Sequence, residues 1–98
     1  MREKHPYVYI MASRRNGTLY VGVTSDLPAR VWQHKNNSSE GFTKKHQVHK
    51  LVYFEEHGEM LLAIEREKRM KKWHRKTKLA LIEKHNPEWM DLYEDIVG

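Results

Sequence analysis

A turn signature near the start of the chain constrains the fold more than any other feature. Two runs rich in β-branched and aromatic residues, Tyr7–Ala12 and Leu19–Val23, lie on either side of Asn16-Gly17. Asn-Gly has a strong preference for a short hairpin turn, because both residues tolerate a positive φ. The sequence therefore predicts an antiparallel β-hairpin.

The predicted register separates the hairpin side chains into two different faces. A two-residue turn at Asn16-Gly17 sets Met11 opposite Gly22 and Tyr9 opposite Thr24, which leaves Gly22 diagonal to Tyr9. Successive strand side chains alternate, so one face is expected to be a plain apolar core formed by Val8, Ile10, Ala12, Leu19, Val21 and Val23. The other face is not expected to be a plain core, since it carries Tyr7, Tyr9, Met11, Tyr20, Gly22 and Thr24.

Helix and strand signals continue through the rest of the chain. A helix over Leu27–Asn36 is predicted from a capping Ser25 or Asp26 and from Pro28 in its first turn. Residues 36–49 are predicted to form a mobile polar loop, and Lys50–Glu56 a third strand. Two more helices are predicted at residues 59–73 and 77–85. In these last segments, the residues expected to face inward or close the core are Leu79, Ala80, Ile82, Trp73 and Trp89.

These elements indicate an α/β (α+β) fold of order β-β-α-β-α-α, with a small, three-stranded, mostly antiparallel sheet flanked by helices. A chain of 98 residues supports one core, so residues 1–98 are expected to form a single domain. The absence of Cys excludes disulfides, thiol chemistry and Cys-based zinc sites. Since the sequence has no run of eighteen apolar residues and no secretory leader, we expect no membrane contact and a cytoplasmic location.

Positive charge is concentrated in one stretch of the sequence. Between Glu65 and Lys78, eight Lys or Arg side chains stand against two Glu, so the stretch carries +6 in a chain of net charge +5. Such a stretch favours a polyanion as partner, because each cation placed near a phosphate releases condensed counterions. A solvated helix face is the alternative, and charge alone favours it.

Glu67 interrupts the apolar stripe of the predicted helix 59–73. The residues on this stripe, which repeats every 3.6 positions, are Met60, Ala63, Ile64, Glu67 and Met70. A carboxylate that faces inward costs several kcal/mol unless it is paired or bound to a cation. Lys71 lies one turn later and offers an ion pair, and a bound metal ion is the alternative.

In combination, these motifs resemble the GIY-YIG nuclease superfamily. The triplet Tyr7-Val8-Tyr9, ten intervening residues and then Tyr20-Val21-Gly22 are similar to the paired GIY and YIG signatures, with Tyr7 in place of the first Gly. The other matching segments are the helical Arg30 and His34, the strand Lys50–Tyr53, the acidic Glu67 and the ending Asn86–Trp89. The ending is similar to that of the small stand-alone bacterial members, which resemble the N-terminal domain of excision-repair nucleases. Met90 stands where related repair and restriction nucleases often carry Asn.

The resemblance implies hydrolysis of a phosphodiester with one divalent ion, Mg²⁺ or Mn²⁺, held by a single carboxylate. It implies that Glu67 is the metal ligand. Tyr9 is implied as the general base or orienter of the attacking water, with the positive charge of Arg30 helping to ionise its phenol. Tyr20 is implied as a hydrogen-bond partner of the phosphate or the water. His34 is implied either as a proton-transfer residue or as a phosphate ligand.

The expected substrate contacts lie around this catalytic group. Gly22 is expected to leave a notch for the substrate backbone, and flanking phosphates are expected to contact Lys44, Lys45, Lys71 and Lys72. The expected partner is nucleic acid, DNA before RNA, in repair, recombination or foreign-DNA processing. The two leading functions are an endonuclease and a nucleic-acid-binding module with little turnover, and a protein-interaction adaptor ranks third. A protein partner that supplies specificity is compatible with both, and the sequence does not indicate an oligomeric state.

Overall fold

The computed structural model describes residues 5–36 and 41–97. Strands β1 (Tyr7–Ala12), β2 (Leu19–Thr24) and β3 (Lys50–Glu56) form one antiparallel sheet in the order β2-β1-β3. The helices are α1 (Leu27–Lys35), α2 (Gly41–His46), α3 (Met60–Lys72), α4 (Arg75–His85) and α5 (Tyr93–Val97). The predicted fold class is confirmed, and two short helices, α2 and α5, are added to the predicted order.

The hairpin loop is longer than the predicted two-residue turn. The Ser13 N–H donates to Thr18 O at 3.0 Å, and the Gly17 N–H donates to Arg14 O at 2.9 Å. Asn16 alone of the Asn-Gly pair takes a positive φ, of 57°. Gly17 is needed for space, because a Cβ there would lie 2.3 Å from Ser13 Oγ. The loop therefore closes with Ser13 opposite Thr18, two positions earlier on the β1 side than the Arg15 of a two-residue turn.

The longer loop shifts the strand register by two residues. Tyr9 lies opposite Gly22, and Met11 lies opposite Tyr20. The predicted pairs of Tyr9 with Thr24 and of Met11 with Gly22 are therefore wrong. An even shift leaves every side chain on its predicted face, since strand side chains alternate with period two.

Both faces of the sheet are buried, including the second face, which was not expected to be a plain core. The first face packs against α3 and α4. The fully buried residues of this cluster include Val8, Ile10 and Ala12 of β1, Ala63 and Met70 of α3, and Ile82 of α4. The second face forms another apolar cluster of Tyr9, Met11, Leu27, Val31, Val48 and Leu51. The sequence patterns did not reveal the second cluster, because they did not show that α1 and the segment before β3 pack over this face.

Most helix predictions are confirmed to within a few residues. Asp26 caps α1 by accepting a bond from Ala29 N at 3.3 Å, and α1 ends one residue before the predicted Asn36. Helix α4 begins at Arg75, and Ala80 is exposed rather than inward. Part of the predicted loop at 36–49 is the helix α2, while residues 37–40 lie outside the described residues. Over the described ranges, no helix is long and apolar enough to cross a membrane.

The segment after α4 runs along the outer edge of β3. Leu92 N donates to Leu51 O at 2.8 Å, and Leu51 N donates to the Asp91 carboxylate at 3.2 Å. The Asn86 amide donates to Val52 O at 3.1 Å. Trp89 is fully buried between these contacts, which confirms its predicted role in closing the core. This C-terminal segment, residues 86–92, thus covers the backbone of β3 at two positions.

Candidate active site

Three rings from different elements meet on the second face of the sheet. Tyr9 from β1, Tyr20 from β2 and His34 from α1 have ring centroids 5.2–6.3 Å apart. Tyr9 Oη lies 2.9 Å from His34 Nε2 in a buried hydrogen bond. Tyr9 and His34 are 1% and 2% exposed, whereas Tyr20 is partly exposed. The site therefore has a buried Tyr–His pair that Tyr20 partly separates from solvent.

The ring of Tyr9 fills the space above Gly22. A Cβ built on Gly22 would lie 2.4 Å from both Cζ and Oη of Tyr9. The expected notch beside a diagonal Tyr9 is therefore wrong, because the two-residue register shift brings Tyr9 directly opposite Gly22. Gly22 contributes to the site by letting the phenol cross β2, and the space it leaves is taken by the protein itself.

Tyr9 is a neutral phenol in this environment. Burial raises its pKa well above the ordinary value, and the negative potentials of Tyr20 and Glu67 act in the same direction. Arg30 lowers the pKa, but its effect is smaller than that of burial. Arg30 therefore acts in the expected direction and makes Tyr9 easier to ionise, but burial outweighs it and the phenol stays neutral.

His34 is also neutral. Burial lowers its pKa to about 4, and the positive charges of Arg30 and His49 act in the same direction. The imidazole therefore has an unshared pair on one ring nitrogen at neutral pH. In the tautomer with its proton on Nδ1, Nε2 accepts the hydrogen bond that Tyr9 donates.

Glu67 faces inward, as its place on the apolar stripe predicts. Its side chain is 13% exposed and pairs at 2.9 Å with Nζ of Lys71, whose side chain is 51% exposed. The predicted ion pair is thus present. Glu67 nevertheless contributes to the potential at the Tyr9 phenol, which links α3 electrostatically to the Tyr–His pair.

The residues present fit a single hard cation. Among residues 5–36 and 41–97, no group of three or more His, Asp or Glu side chains comes together as a metal cluster. A Mg²⁺ or Mn²⁺ ion here would use one Glu67 oxygen, with water and substrate phosphate as the other ligands. Lys71 would have to move aside, which its long and half-exposed side chain permits.

The remaining predicted residues lie farther from the ring cluster or only at its surface. Arg30 is exposed on α1 and acts on both Tyr9 and His34 through its charge. Lys44 and Lys45 are exposed in the last turn of α2, and Lys72 is exposed in the last turn of α3. The structure thus brings together Tyr9, Tyr20 and His34, and Arg30 and Glu67 act on the phenol through their charges. The catalytic roles and the three lysine contacts remain predictions.

A polar cluster between β3 and α3 was missed by the sequence patterns. The Glu55 carboxylate accepts bonds from Arg66 at 2.9 and 3.2 Å, from Tyr53 at 2.6 Å and from His57 at 2.6 Å. Burial alone would raise the pKa of Glu55, but these bonds outweigh it and hold the pKa below the ordinary value. Arg66 also lies over the Trp73 ring, at 4.9 Å. Strand alternation could have placed Tyr53 and Glu55 on one face, but not the four-residue network.

Asn86 is a second buried polar residue that the patterns did not single out. Its amide nitrogen donates to Val52 O and Met90 O, and its side-chain oxygen accepts from Met90 N at 3.0 Å. Met90 itself is 63% exposed. The Asn-Pro pair after α4 was the available signal. Asn86 holds the C-terminal segment in place, and Met90 contributes its backbone to that contact.

Comparison with known proteins identifies the family of this chain. The profile described as the GIY-YIG catalytic domain matches residues 5–80. A UPF0213 protein of Staphylococcus epidermidis is 36% identical over 81 residues, covering 83% of this chain and 96% of the relative. A UPF0213 protein of Bacillus pumilus is 32% identical over 81 residues, covering 83% of each chain.

A solved structure shows the same fold. The solution NMR structure of a UPF0213 protein from Bacillus halodurans has a TM-score of 0.56, at 23% identity, over 89% of this chain and 92% of its own. The profile match contains all the catalytic residues proposed from the sequence, which are Tyr9, Tyr20, Arg30, His34 and Glu67. This chain therefore belongs to the GIY-YIG catalytic domain family, in which UPF0213 proteins are among its relatives.

Proposed function

We propose that this protein is a metal-dependent endonuclease that hydrolyses phosphodiester bonds in DNA. The observation that carries the proposal is the buried Tyr9–His34 bond of 2.9 Å, with Tyr20 against both rings and the Glu67 charge acting on the phenol. A hydroxyl and a proton acceptor are thus in direct contact, and the Glu67 carboxylate on α3 acts on that hydroxyl through its charge. Family membership supports the reaction class.

Tyr9 and His34 would act as a proton relay. A water that contacts Tyr9 Oη loses its proton to that oxygen while the phenol proton moves to His34 Nε2. The resulting hydroxide forms a bond to phosphorus, and the bond to the leaving oxygen breaks with its electron pair. Tyr9 does not have to become a phenolate at any stage, which suits its raised pKa.

The substrate itself would strengthen His34 as a base. Burial, together with the positive charge of Arg30, lowers the pKa of His34 to about 4. A phosphodiester adds negative charge next to the imidazole and raises its pKa towards neutrality. Arg30 is exposed and can contact a non-bridging oxygen through its planar guanidinium. Tyr20, partly exposed, would orient the phosphate or the water.

Glu67 would hold the divalent ion. When bound, the ion supplies positive charge that stabilises the phosphate and the leaving oxygen. Lys71, released from its pair with Glu67, and the exposed Lys72 would contact flanking phosphates, as would Lys44 and Lys45 on α2. Release of Lys71 would couple ion binding to phosphate binding.

Replacement of Glu67 tests the proposal. We expect Glu67→Gln to lower Mg²⁺- or Mn²⁺-dependent nicking of labelled linear and branched DNA by roughly 10²- to 10³-fold, because the ion loses its only protein ligand. DNA affinity without metal should stay near wild type. Glu65→Gln is the matched control, since Glu65 is exposed on the same helix. It should cut normally.

The same assay separates the nuclease from a binding module. If wild-type protein binds DNA but never cuts it with either ion, the enzyme proposal is wrong and the binding module stands. If Glu67→Gln and Glu65→Gln cut equally well, Glu67 is not the ligand.

A further inference from the structure

An open hollow lies at the tip of the β1–β2 hairpin, away from the ring cluster. Its volume is about 520 Å³, and its lining residues are Ser13, Arg14, Asn16, Gly17, Thr18 and Arg75. Two of the described lining residues are arginines, and none of them is acidic. The hollow thus offers positive charge, hydroxyls and an amide within one concave surface, which is the chemistry that an oxyanion requires.

Arg75 is held in place by the hairpin loop. One terminal nitrogen of its guanidinium donates to Asn16 O at 2.7 Å and to Gly17 O at 2.6 Å. Those contacts use the two protons of one nitrogen and leave three N–H donors of the guanidinium for another acceptor. The loop carbonyls are neutral, so the full positive charge of Arg75 stays available. A fixed guanidinium loses little side-chain entropy when an anion binds.

Arg75, which lines the hollow, belongs to the basic stretch that follows Glu67 in the sequence. From Lys68 to Ile82 the chain has seven Lys or Arg and no Asp or Glu, and Arg75 falls within this stretch. Along β1, Tyr9 is four residues from Ser13, which corresponds to roughly 13 Å of extended chain. Positive charge therefore leads from Glu67 on α3 to the hairpin tip.

A nucleic-acid strand could place one phosphate at the candidate active site and another at the hollow, whereas a small anion could occupy only one of them. Duplex DNA advances 3.4 Å per nucleotide of one strand, so 13 Å corresponds to roughly four nucleotides. We propose that the Arg14–Arg75 hollow binds a backbone phosphate of the DNA that is cut, roughly four nucleotides from the scissile bond. The inference rests on the proposed function for its ligand, and it assigns a contact surface outside the ring cluster.

Two neighbouring arginines give a matched test. Arg14 and Arg15 are both exposed on the hairpin loop, but only Arg14 lines the hollow. Arg14→Ala and Arg15→Ala remove the same charge from almost the same place, so they have equal long-range effects. Binding of each variant to a 24-base-pair duplex is measured by anisotropy between 0.1 M and 1 M salt, with metal chelated to prevent cutting.

A phosphate contact has a defined salt signature. We expect Arg14→Ala to lower the slope of log K against log salt by about 0.9, which is about an eightfold effect per decade of salt. Arg15→Ala should change the slope much less. Equal slopes for the two variants would overturn the inference, because only general charge would then matter.

Failure of the inference is distinguishable from failure of the proposed function. Wild-type protein that cuts DNA, together with equal slopes for the two variants, rejects the hollow and keeps the nuclease. Wild-type protein that binds but does not cut, together with a lower slope for Arg14→Ala only, keeps the hollow and rejects the nuclease. Wild-type protein that shows no salt-dependent DNA binding rejects both.

Discussion

At the residue scale, Gly22 and Tyr9 occupy one shared space. The Tyr9 phenol crosses β2 only because position 22 has no Cβ. The hydrogen bond to His34 depends on that crossing, since it fixes the position of Tyr9 Oη. Glycine is thus required at position 22 because the Tyr9 ring approaches the backbone closely there, and no positive φ is needed.

Gly22→Ala should displace the phenol. The added Cβ would lie 2.4 Å from Tyr9 Oη, so the ring or the strand must move. We expect a loss of about 1–3 kcal/mol in the free energy of unfolding, measured by urea denaturation, and a matching loss of nicking. Gly58→Ala is the control, because a Cβ there meets no atom within 4 Å. The steric explanation is wrong if Gly22→Ala lowers the free energy of unfolding as much in a Tyr9→Ala background as it does in wild type.

His34 should make stability depend on pH in a defined window. Its folded-state pKa, about 4, is below the ordinary 6.5, so the unfolded chain takes up a proton first as pH falls. The contribution of the neutral ring is full above pH 6.5 and is lost as pH falls towards 4.

Comparison with His34→Gln isolates this effect, because Gln accepts a hydrogen bond but does not titrate. We expect the stability advantage of wild type over the variant to shrink between pH 7 and pH 4 by up to about 3 kcal/mol. Urea unfolding at several pH values measures it. A constant difference over this range would contradict a neutral, buried His34.

At this scale, the sequence predicted the positions of the main site residues but not their protonation states. Family motifs and strand alternation placed Tyr9 and Tyr20 on one face, and the helix period directed Glu67 inward. The pKa of Tyr9 depends on burial by α1 and on the balance between Arg30 and Tyr20. Those distances follow from tertiary packing, which spacing along the sequence does not contain.

At the scale of elements, the Glu55–Arg66 contact joins β3 to α3. Arg66 donates hydrogen bonds to both carboxylate oxygens of Glu55. The Arg66 side chain is 26% exposed and the Glu55 side chain 17%. Since α3 also carries Glu67, this contact fixes the helix that presents the candidate metal ligand. Its geometry is bidentate and partly buried, which makes it stronger than an ordinary surface pair.

Glu55→Gln should therefore destabilise the protein by about 1–3 kcal/mol at pH 7, because it leaves the Arg66 charge partly buried without its counterion. Glu56→Gln is the neighbouring control. Glu56 contacts His5 at 3.0 Å with both side chains about half exposed, and its loss should cost less than about 0.5 kcal/mol.

The difference in free energy of unfolding between Glu55→Gln and wild type should disappear at acidic pH. The folded-state pKa of Glu55 is lowered, so its contribution is present above the unfolded-state pKa and disappears as pH falls through the folded-state value. Urea unfolding at pH 7 and pH 3 checks this. Equal effects of the Glu55 and Glu56 changes at pH 7 would show that the network does not stabilise α3.

The elements themselves were largely predictable, and the errors have physical causes. Asn-Gly indicated a hairpin, but the contacts of Ser13 with Thr18 lengthened its loop beyond a two-residue turn. Because the error was two residues, the faces remained correct. Helices α2 and α5 have six and five residues, too short for a 3.6-residue stripe to become visible in the sequence.

At the scale of the whole molecule, two apolar clusters lie on opposite faces of one three-stranded sheet. The sequence predicted the first from alternation, since its strand residues are aliphatic. The sequence did not predict the second cluster, because Tyr, Met and Gly at alternating positions are not the aliphatic pattern typical of a core. The candidate site therefore borders a sheet that is packed on both faces, which suits catalysis that depends on fixed positions.

The C-terminal segment has a consequence for association with other chains. An exposed strand edge is a template for pairing and a route to aggregation. Asp91, Leu92 and Asn86 occupy the edge of β3 at Leu51 and Val52, so a foreign strand cannot pair there without displacing them. The opposite edge of the sheet is β2, the strand that carries Tyr20 and Gly22. Growth of the sheet by an added strand would thus be directed to the strand that borders the candidate active site, where self-association and substrate access would compete.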